Sequence, residues 1–210
     1  MLSDHAPLEL EVRLGLKAVV RPVVPEDKVR AEEAYRLLSP ESRKNRFWNN
    51  TLHLSDNQLE HLTKPQDGDH HSWIAVEADP QSRLPGFGAA SFWRDKADPK
   101  GAEFAATVLD QWQRQGIGTL LLSILWHEAW HLGIRHFWGI ARLEHHAVCH
   151  WWESAGGVVE THPMHHELKM ELSSPESFVS RRQYQLHIGS AEAELVEWFR
   201  KWHEVDFGDH

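Results

Sequence analysis

Apolar and polar positions divide the chain into segments of two different periods. From Leu8 to Val24, valine and leucine alternate loosely with polar residues, which predicts a β-strand with a turn near Gly15. Pro25-Glu26-Asp27 then opens a helical stretch through Leu38, with acidic residues in its first turn where the helix dipole favours them. Ser39-Pro40-Glu41 sets an N-cap serine before a proline and starts a second helix carrying Arg43, Lys44, Arg46, Phe47 and Trp48. Ser55 and Gln58 have capping-box spacing and predict a short helix to Leu62. Pro65 to His71 reads as polar loop. The runs Ser72 to Glu77, Gly86 to Arg94 and Ala102 to Leu109, separated by turn residues, predict an antiparallel meander.

The helical period returns after Gly116. Gly118 to Leu132 is the strongest helical stretch in the chain and is stopped by Gly133. His136 to Ala141 predicts a buried strand, Glu144 to Ala155 a helix closed by Gly156-Gly157, and Val158 to Thr161 and His165 to Leu172 two further strands. The composition shifts after Ser173-Ser174-Pro175. Ser190 caps a helix whose Leu195, Trp198, Phe199 and Trp202 share one face. That face needs a partner, either the chain's own domain or a second copy, so a monomer and a homodimer through the C-terminal helix both fit. The expected organisation is one α/β domain over residues 1–173 and an extension over 174–210.

Composition narrows the function classes. A chain of 210 residues that is 41% hydrophobic and 25% charged can bury a core without staples. Its one cysteine, Cys149, allows no intramolecular disulfide, and a reducing, cytoplasmic setting is expected. Met1 to Arg13 carries Asp4, Glu9 and Glu11 and lacks the apolar core of a signal peptide. Gly116 to Trp126, the longest uncharged apolar stretch, is too short to span a bilayer, so no membrane partner is expected. A formal charge of −9 argues against nucleic acid, whose phosphates demand Lys and Arg. The 17 histidines make charge sensitive to mild acidification without by themselves indicating a metal.

The informative segment runs from Ala102 to Gly118: a strand, then Asp110-Gln111-Trp112, then Gln113-Arg114-Gln115-Gly116-Ile117-Gly118 and a helix. Glycines two apart at a strand-to-helix turn let the backbone approach a ligand closely. The first amides of the helix have no internal partner, and with the dipole they favour an anion. Arg114 adds charge at the rim. The absence of Gly-Lys-Ser/Thr excludes a Walker loop, and the pattern lacks the Gly spacing and early parallel strand of a dinucleotide fingerprint.

Gln113-x-x-Gly116-x-Gly118, continued by Thr119-Leu120-Leu121, resembles the pyrophosphate signature of the GNAT N-acetyltransferase superfamily. Arg21-Pro22-Val23-Val24-Pro25-Glu26-Asp27, Leu38-Ser39-Pro40-Glu41-Ser42-Arg43 and Arg46-Phe47 are similar to the catalytic domain of bacterial protein-lysine acetyltransferases that modify acyl-CoA synthetases. The resemblance covers Glu11 to Leu172. It implies a mixed, mostly antiparallel sheet of six to seven strands with two central strands splayed apart, helices on both faces, and acetyl-CoA as co-substrate without a required metal. It also implies a pyrophosphate cradle at Gln113, Arg114, Gln115, Gly116, Ile117, Gly118 and Thr119. Backbone groups of Ala106 to Val108 would meet the pantetheine arm, with the Val108 amide placed to stabilise an oxyanion. The acceptor is an amine, a protein lysine or a small molecule, and it must lose a proton before attack. Glu103, in an otherwise apolar strand, is the candidate base, on the argument that burial raises a carboxyl pKa toward neutrality. His145 stands where the family usually has an asparagine contacting CoA, and Trp152 where it often has a tyrosine that protonates the thiolate. Tryptophan cannot be that acid. A non-catalytic acyl-CoA-binding module fits the same loop.

His127-Glu128-Ala129-Trp130-His131 matches H-E-x-x-H, the zinc-hydrolase pattern, with Glu153 as a conceivable third ligand. The extended motif does not continue at Ile134 and Phe137. His127 also lies about 15 Å along the helix from the phosphate loop. Cys149 is read as a small buried residue rather than a nucleophile, because no His–Asp set accompanies it. His145 and His146 are as compatible with a polar surface as with a site.

Overall fold

The structure, a computed structural model, describes residues 8–12, 16–48, 51–79, 82 and 85–174. Gly15 and the C-terminal segment with Ser190, Leu195, Trp198, Phe199 and Trp202 lie outside the described residues. In chain order the elements are β1 (Leu8–Val12), β2 (Leu16–Pro22), α1 (Lys28–Leu37), α2 (Pro40–Phe47) and α3 (Asp56–Leu62). These are followed by β3 (His70–Glu77), β4 (Gly88–Arg94), β5 (Gly101–Val108), α4 (Ile117–His131), β6 (His136–Ala141), α5 (His146–Ser154), β7 (Val158–Thr161) and β8 (His166–Glu171).

Eight strands form one sheet in the order β1-β2-β3-β4-β5-β6-β8-β7. Neighbours are antiparallel except β5 and β6, which are parallel. The mixed, mostly antiparallel expectation holds with one strand more, because the run Leu8 to Val24 supplies two paired strands instead of one. His70 and His71 belong to β3 rather than to the preceding loop; both are buried against neighbours that a local pattern does not reveal.

Strand β3 is buried on both faces. Its Trp73 and Ala75 join the main core with Leu121, Ile124 and Leu125 of α4. Its Ile74 and Val76 point the other way and pack with Val23. Helices α1 to α3 cover that second face, where Tyr35, Leu38 and Leu59 form their own cluster. Helix α4 is buried nearly all round from Ile117 to Ala129, as a helix apolar on every side must be.

Local chemistry sets the ends of these elements. Ser39 Oγ accepts the Ser42 amide at 3.1 Å and caps α2. Ser55 and Gln58 form the reciprocal box, with Ser55 N donating to Gln58 Oε1 at 2.9 Å and Gln58 N to Ser55 Oγ at 3.3 Å. Asp27 is 3% exposed and takes two 2.7 Å hydrogen bonds from the Arg21 guanidinium, which pins the end of β2 to the start of α1. Burial works against the Asp27 charge, yet the Arg21 and Val24 hydrogen bonds hold its carboxyl below the ordinary carboxylate range.

One irregularity prepares the site. Strands β5 and β6 pair only at Gly101–His136, Ala102–Phe137 and Glu103–Trp138. Beyond Glu103 they part, although β5 continues to Val108 and β6 to Ala141.

Candidate functional site

A cavity of about 770 Å³ lies in the gap where β5 and β6 diverge. Residues 104–108 of β5 form one wall, and Gly139, Ile140 and Ala141 of β6 the other. Leu109 N–H donates to Phe87 O at 3.0 Å on the β4 side. Alternation along the strand therefore turns the Ala106 and Val108 amides away from β4 and into the gap. Ala106 and Val108 both line the cavity. Gln113 Nε2 donates to Val108 O at 3.1 Å and ties the following loop to the strand end.

The loop enters α4 through two left-handed residues, Arg114 at φ 60° and Gly116 at φ 89°. Glycine is the residue that takes the second of these without strain. The first helical bond runs from Leu120 N to Gly116 O, so the amides of Ile117, Gly118 and Thr119 have no partner inside the helix. Gln113, Arg114, Gly116, Gly118 and Thr119 all line the cavity. The side chains of Gln115 and Ile117 do not: Gln115 Nε2 donates to Gln111 O at 3.0 Å, and Ile117 is 1% exposed in the core. Those two positions can serve only through their backbone. Trp151 Nε1 donates to Thr119 Oγ1 at 3.1 Å and braces the first turn of α4 against α5.

Asp110, just after β5, locks this region to α2. Its carboxylate accepts from Ser39 N at 2.9 Å, Ser39 Oγ at 2.9 Å and Ser42 Oγ at 2.7 Å. Burial opposes its charge, but these hydrogen bonds, the Ser39 amide foremost, hold its pKa below the ordinary value. A lone aspartate at a strand end gives no local sign of partners about 70 residues away.

Glu103 stands at the other end of the open edge, where the last β5–β6 pair lies, and it lines the cavity. Its side chain is exposed, so burial does not supply the reason for making it a base. Arg46, on the last turn of α2, lines the same cavity. Burial draws the Arg46 guanidinium below its ordinary pKa, while Glu103 pulls it back up. Glu103 also sits in register with Trp93, whose ring stacks on His61 at 4.2 Å and on His70 at 3.8 Å. Trp48 (54% exposed) and Met164 (80% exposed) edge the same cavity.

His70 is 1% exposed, and burial, reinforced by Lys64, lowers its pKa to about 4. The unfolded chain binds this proton near pH 6.5 and the folded one does not. The contribution is thus complete above pH 6.5 and lost as the pH falls toward 4, amounting to about 3 kcal/mol. Urea unfolding of the protein and of His70→Phe at pH 7 and pH 4.5 checks this: the variant, which keeps an aromatic ring against Trp93, is expected to lose less stability on acidification.

The H-E-x-x-H pattern belongs to the core. Glu128 is 0% exposed and its Oε2 lies 2.8 Å from His71 Nδ1 of β3. His127 is 2% exposed. A metalloenzyme glutamate must face a metal-bound water, whereas this one faces a strand, so the zinc-hydrolase reading has no support. Among the described residues the group with metal-ligand spacing is Glu160, His162 and Glu167, and it includes neither these residues nor Glu153. Lys169 Nζ already lies 3.4 Å from Glu160 and from Glu167. Burial, aided by Glu153, pushes the Cys149 thiol up, away from a thiolate nucleophile. His145, at the N-cap of α5, lines the cavity, while His146 is exposed. Burial lowers the His145 pKa, with Glu41 acting against the shift and Arg142 with it.

Residues 31–157 match the model of the acetyltransferase (GNAT) family. The chain belongs to the GNAT acetyltransferase family. A relative named acetyltransferase Pat, from Mycolicibacterium smegmatis, is 30% identical over 131 residues, a match covering 62% of this chain and 38% of that protein. The chain thus spans well under half the length of this curated relative. The crystal structure of the GNAT domain of S. lividans PAT shares the fold at a TM-score of 0.71, with 22% identity over 79% of this chain and 97% of that one. Spermidine N-acetyltransferase from Vibrio cholerae, in complex with CoA and spermine, superposes at a TM-score of 0.58, with 14% identity over 76% of this chain and 98% of that one.

Within this GNAT domain, Trp152 is 1% exposed and its indole N–H donates to Lys169 O at 3.0 Å. Its place in α5 therefore contributes packing between the sheet and the cavity and no transferable proton. Among the described residues no helix is long and apolar enough to cross a membrane.

Proposed function

We propose that this GNAT domain moves an acetyl or other short acyl group from acyl-CoA to a primary amine within a ternary complex. One observation carries the reading: an unpaired strand edge, Phe104 to Val108, runs in the same cavity to the partnerless first amides of α4. The edge offers alternating donors and acceptors to an extended arm, and the helix start offers N–H groups and a dipole to a diphosphate. The names of the Pat relative and the CoA-bound V. cholerae enzyme support acyl-CoA as the ligand.

In the proposed reaction Glu103 removes a proton from the acceptor ammonium, and the freed amine nitrogen attacks the thioester carbonyl. The C–N bond forms, and the Val108 amide donates to the oxyanion. The C–S bond then breaks, and the second proton of the attacking nitrogen passes through water or a cavity histidine such as His145 to the departing thiolate, leaving the amide and free CoA thiol. The Pat relative favours a protein lysine as acceptor; the openness of Trp48 and Met164 at the mouth is compatible with a bulky partner. A small-molecule amine is the second reading, since spermidine N-acetyltransferase from Vibrio cholerae shares the fold.

Calorimetric titration with acetyl-CoA tests the ligand. A methyl group at Gly118 would meet nothing nearer than Val108 Cγ2 at 3.7 Å and Trp151 at 3.8 Å, so the fold has room for it. It would nonetheless stand in the cradle. Gly118→Ala is therefore expected to keep its unfolding midpoint and to bind acetyl-CoA about ten- to a hundredfold more weakly, by loss of close backbone approach. Equal affinity in both proteins would move the diphosphate elsewhere. Incubation with labelled acetyl-CoA and candidate proteins or polyamines, read by intact mass, identifies the acceptor class.

A further inference from the structure

We infer that Arg46 is a positioning residue for Glu103, its guanidinium holding that carboxylate toward the incoming amine at the acceptor end of the cavity. The inference rests on Glu103 as the base. Two observations of placement support it. Arg46 and Glu103 line the same cavity from different elements, α2 and β5. Those elements are locked together, because Asp110, two residues after β5, holds Ser39 and Ser42 at the start of α2. The guanidinium and the carboxylate therefore share the cavity on elements fixed relative to each other.

The surroundings of Arg46 leave its position otherwise unexplained. Among the described residues it makes no hydrogen bond and no ion pair within 4 Å, and its Nε is buried without a partner. Its one ring contact is Phe47, 5.2 Å from the guanidinium carbon. A desolvated cation without a partner is unfavourable, and in a packed fold it is kept where a nearby opposite charge offsets the loss. The carboxylate that acts on it is Glu103. Lys64, which like Glu103 acts on His61, is occupied at 2.6 Å by Asp67. Because Arg46 and Glu103 stand beyond ion-pair distance, the guanidinium orients the carboxylate without occupying it, and one carboxylate oxygen is left to receive the proton.

A double-mutant cycle tests this, with turnover measured at saturating acetyl-CoA and acceptor. Arg46→Met is expected to lower kcat about 10- to 100-fold, the scale of misplacing a reacting group by about an ångström, with KM for acetyl-CoA unchanged. Arg46→Lys, which restores the charge, is expected to recover a substantial part of that loss. In the Glu103→Gln background Arg46→Met is expected to change turnover by less than about twofold, because a residue acting through another is silent once that one is gone. Losses that multiply in the double variant overturn the inference. So does a raised acceptor KM in both backgrounds, which would assign Arg46 to an anionic group on the acceptor. If Glu103→Gln alone turns over normally, the base is misassigned and the inference falls with it, a result distinct from a multiplicative cycle. Circular dichroism and coenzyme A affinity establish folding; should Arg46→Met not fold, Arg46→Gln takes its place with the same expected order of rates.

Discussion

Glu103→Gln is expected to bind acetyl-CoA with unchanged affinity and to turn over about two to four orders of magnitude more slowly, the usual worth of a positioned general base. The two halves of this outcome follow from where Glu103 stands. It is the last residue of β5 that pairs with β6, while the loop that would grip the diphosphate begins after Val108, at the far end of the strand. Five residues of extended chain separate Glu103 from Val108, about 16 Å, so the cofactor's anionic end is insensitive to the exchange. Glutamine keeps the shape and the hydrogen-bonding capacity of the side chain and loses only its ability to accept a proton. The measurement is thiol release with an amine acceptor, alongside calorimetry with acetyl-CoA. Normal turnover in the variant would remove Glu103 from the chemistry and leave either another base or a binding module. A fall in affinity equal to the fall in rate would instead make it a structural residue of the cavity.

The second large effect concerns stability. His71→Ala is expected to destabilise the fold by about 3–5 kcal/mol, the loss typical of removing one partner from a buried pair. Glu128 is 0% exposed, and its Oε2 is answered only by His71; its Oε1 is already buried without a hydrogen bond. Taking away the imidazole leaves a carboxyl group against apolar neighbours and also removes the ring stacked 5.1 Å from Phe92. The double change His71→Leu with Glu128→Met is expected to be close to neutral, since a well-packed apolar pair avoids the desolvation that the polar one must offset. Chemical denaturation of the three proteins measures both values. A His71→Ala protein within about 1 kcal/mol of the parent would mean that water reaches Glu128.

The contrast between these two residues shows what could be read in advance. Glu103 is placed by a lone carboxylate in an apolar strand together with the family resemblance of that stretch, and it lines the cavity. The burial attached to it does not hold, since its side chain is exposed; with Phe104 and Ala105 apolar on both faces, alternation does not decide which way Glu103 points. Glu128 was presented by the chain as part of H-E-x-x-H, yet its partner is 57 residues away on β3. Spacing along a helix says nothing about the strand packed beneath it. Helix ends were legible where one residue decides them: Ser39, Ser55 and Gly133, the last at φ 83°, act through contacts within one turn. His136 to Ala141 was legible as an apolar run between Gly133 and Arg142. The turn near Gly15 hints at the division of Leu8 to Val24 into two strands, whereas the clamp of Asp110 on α2 and the sharing of one cavity by Arg46 and Glu103 require tertiary geometry and have no local signal.

Mechanically, the short β5–β6 ladder makes the sheet two plates joined by a weld of three residue pairs. Five strands lie on one side of it and three on the other. Helix α4 lies on the larger plate, over β3, β4 and β5. On the proposed function, an extended acyl-CoA in the notch would stand where a strand is absent and brace the two plates against each other.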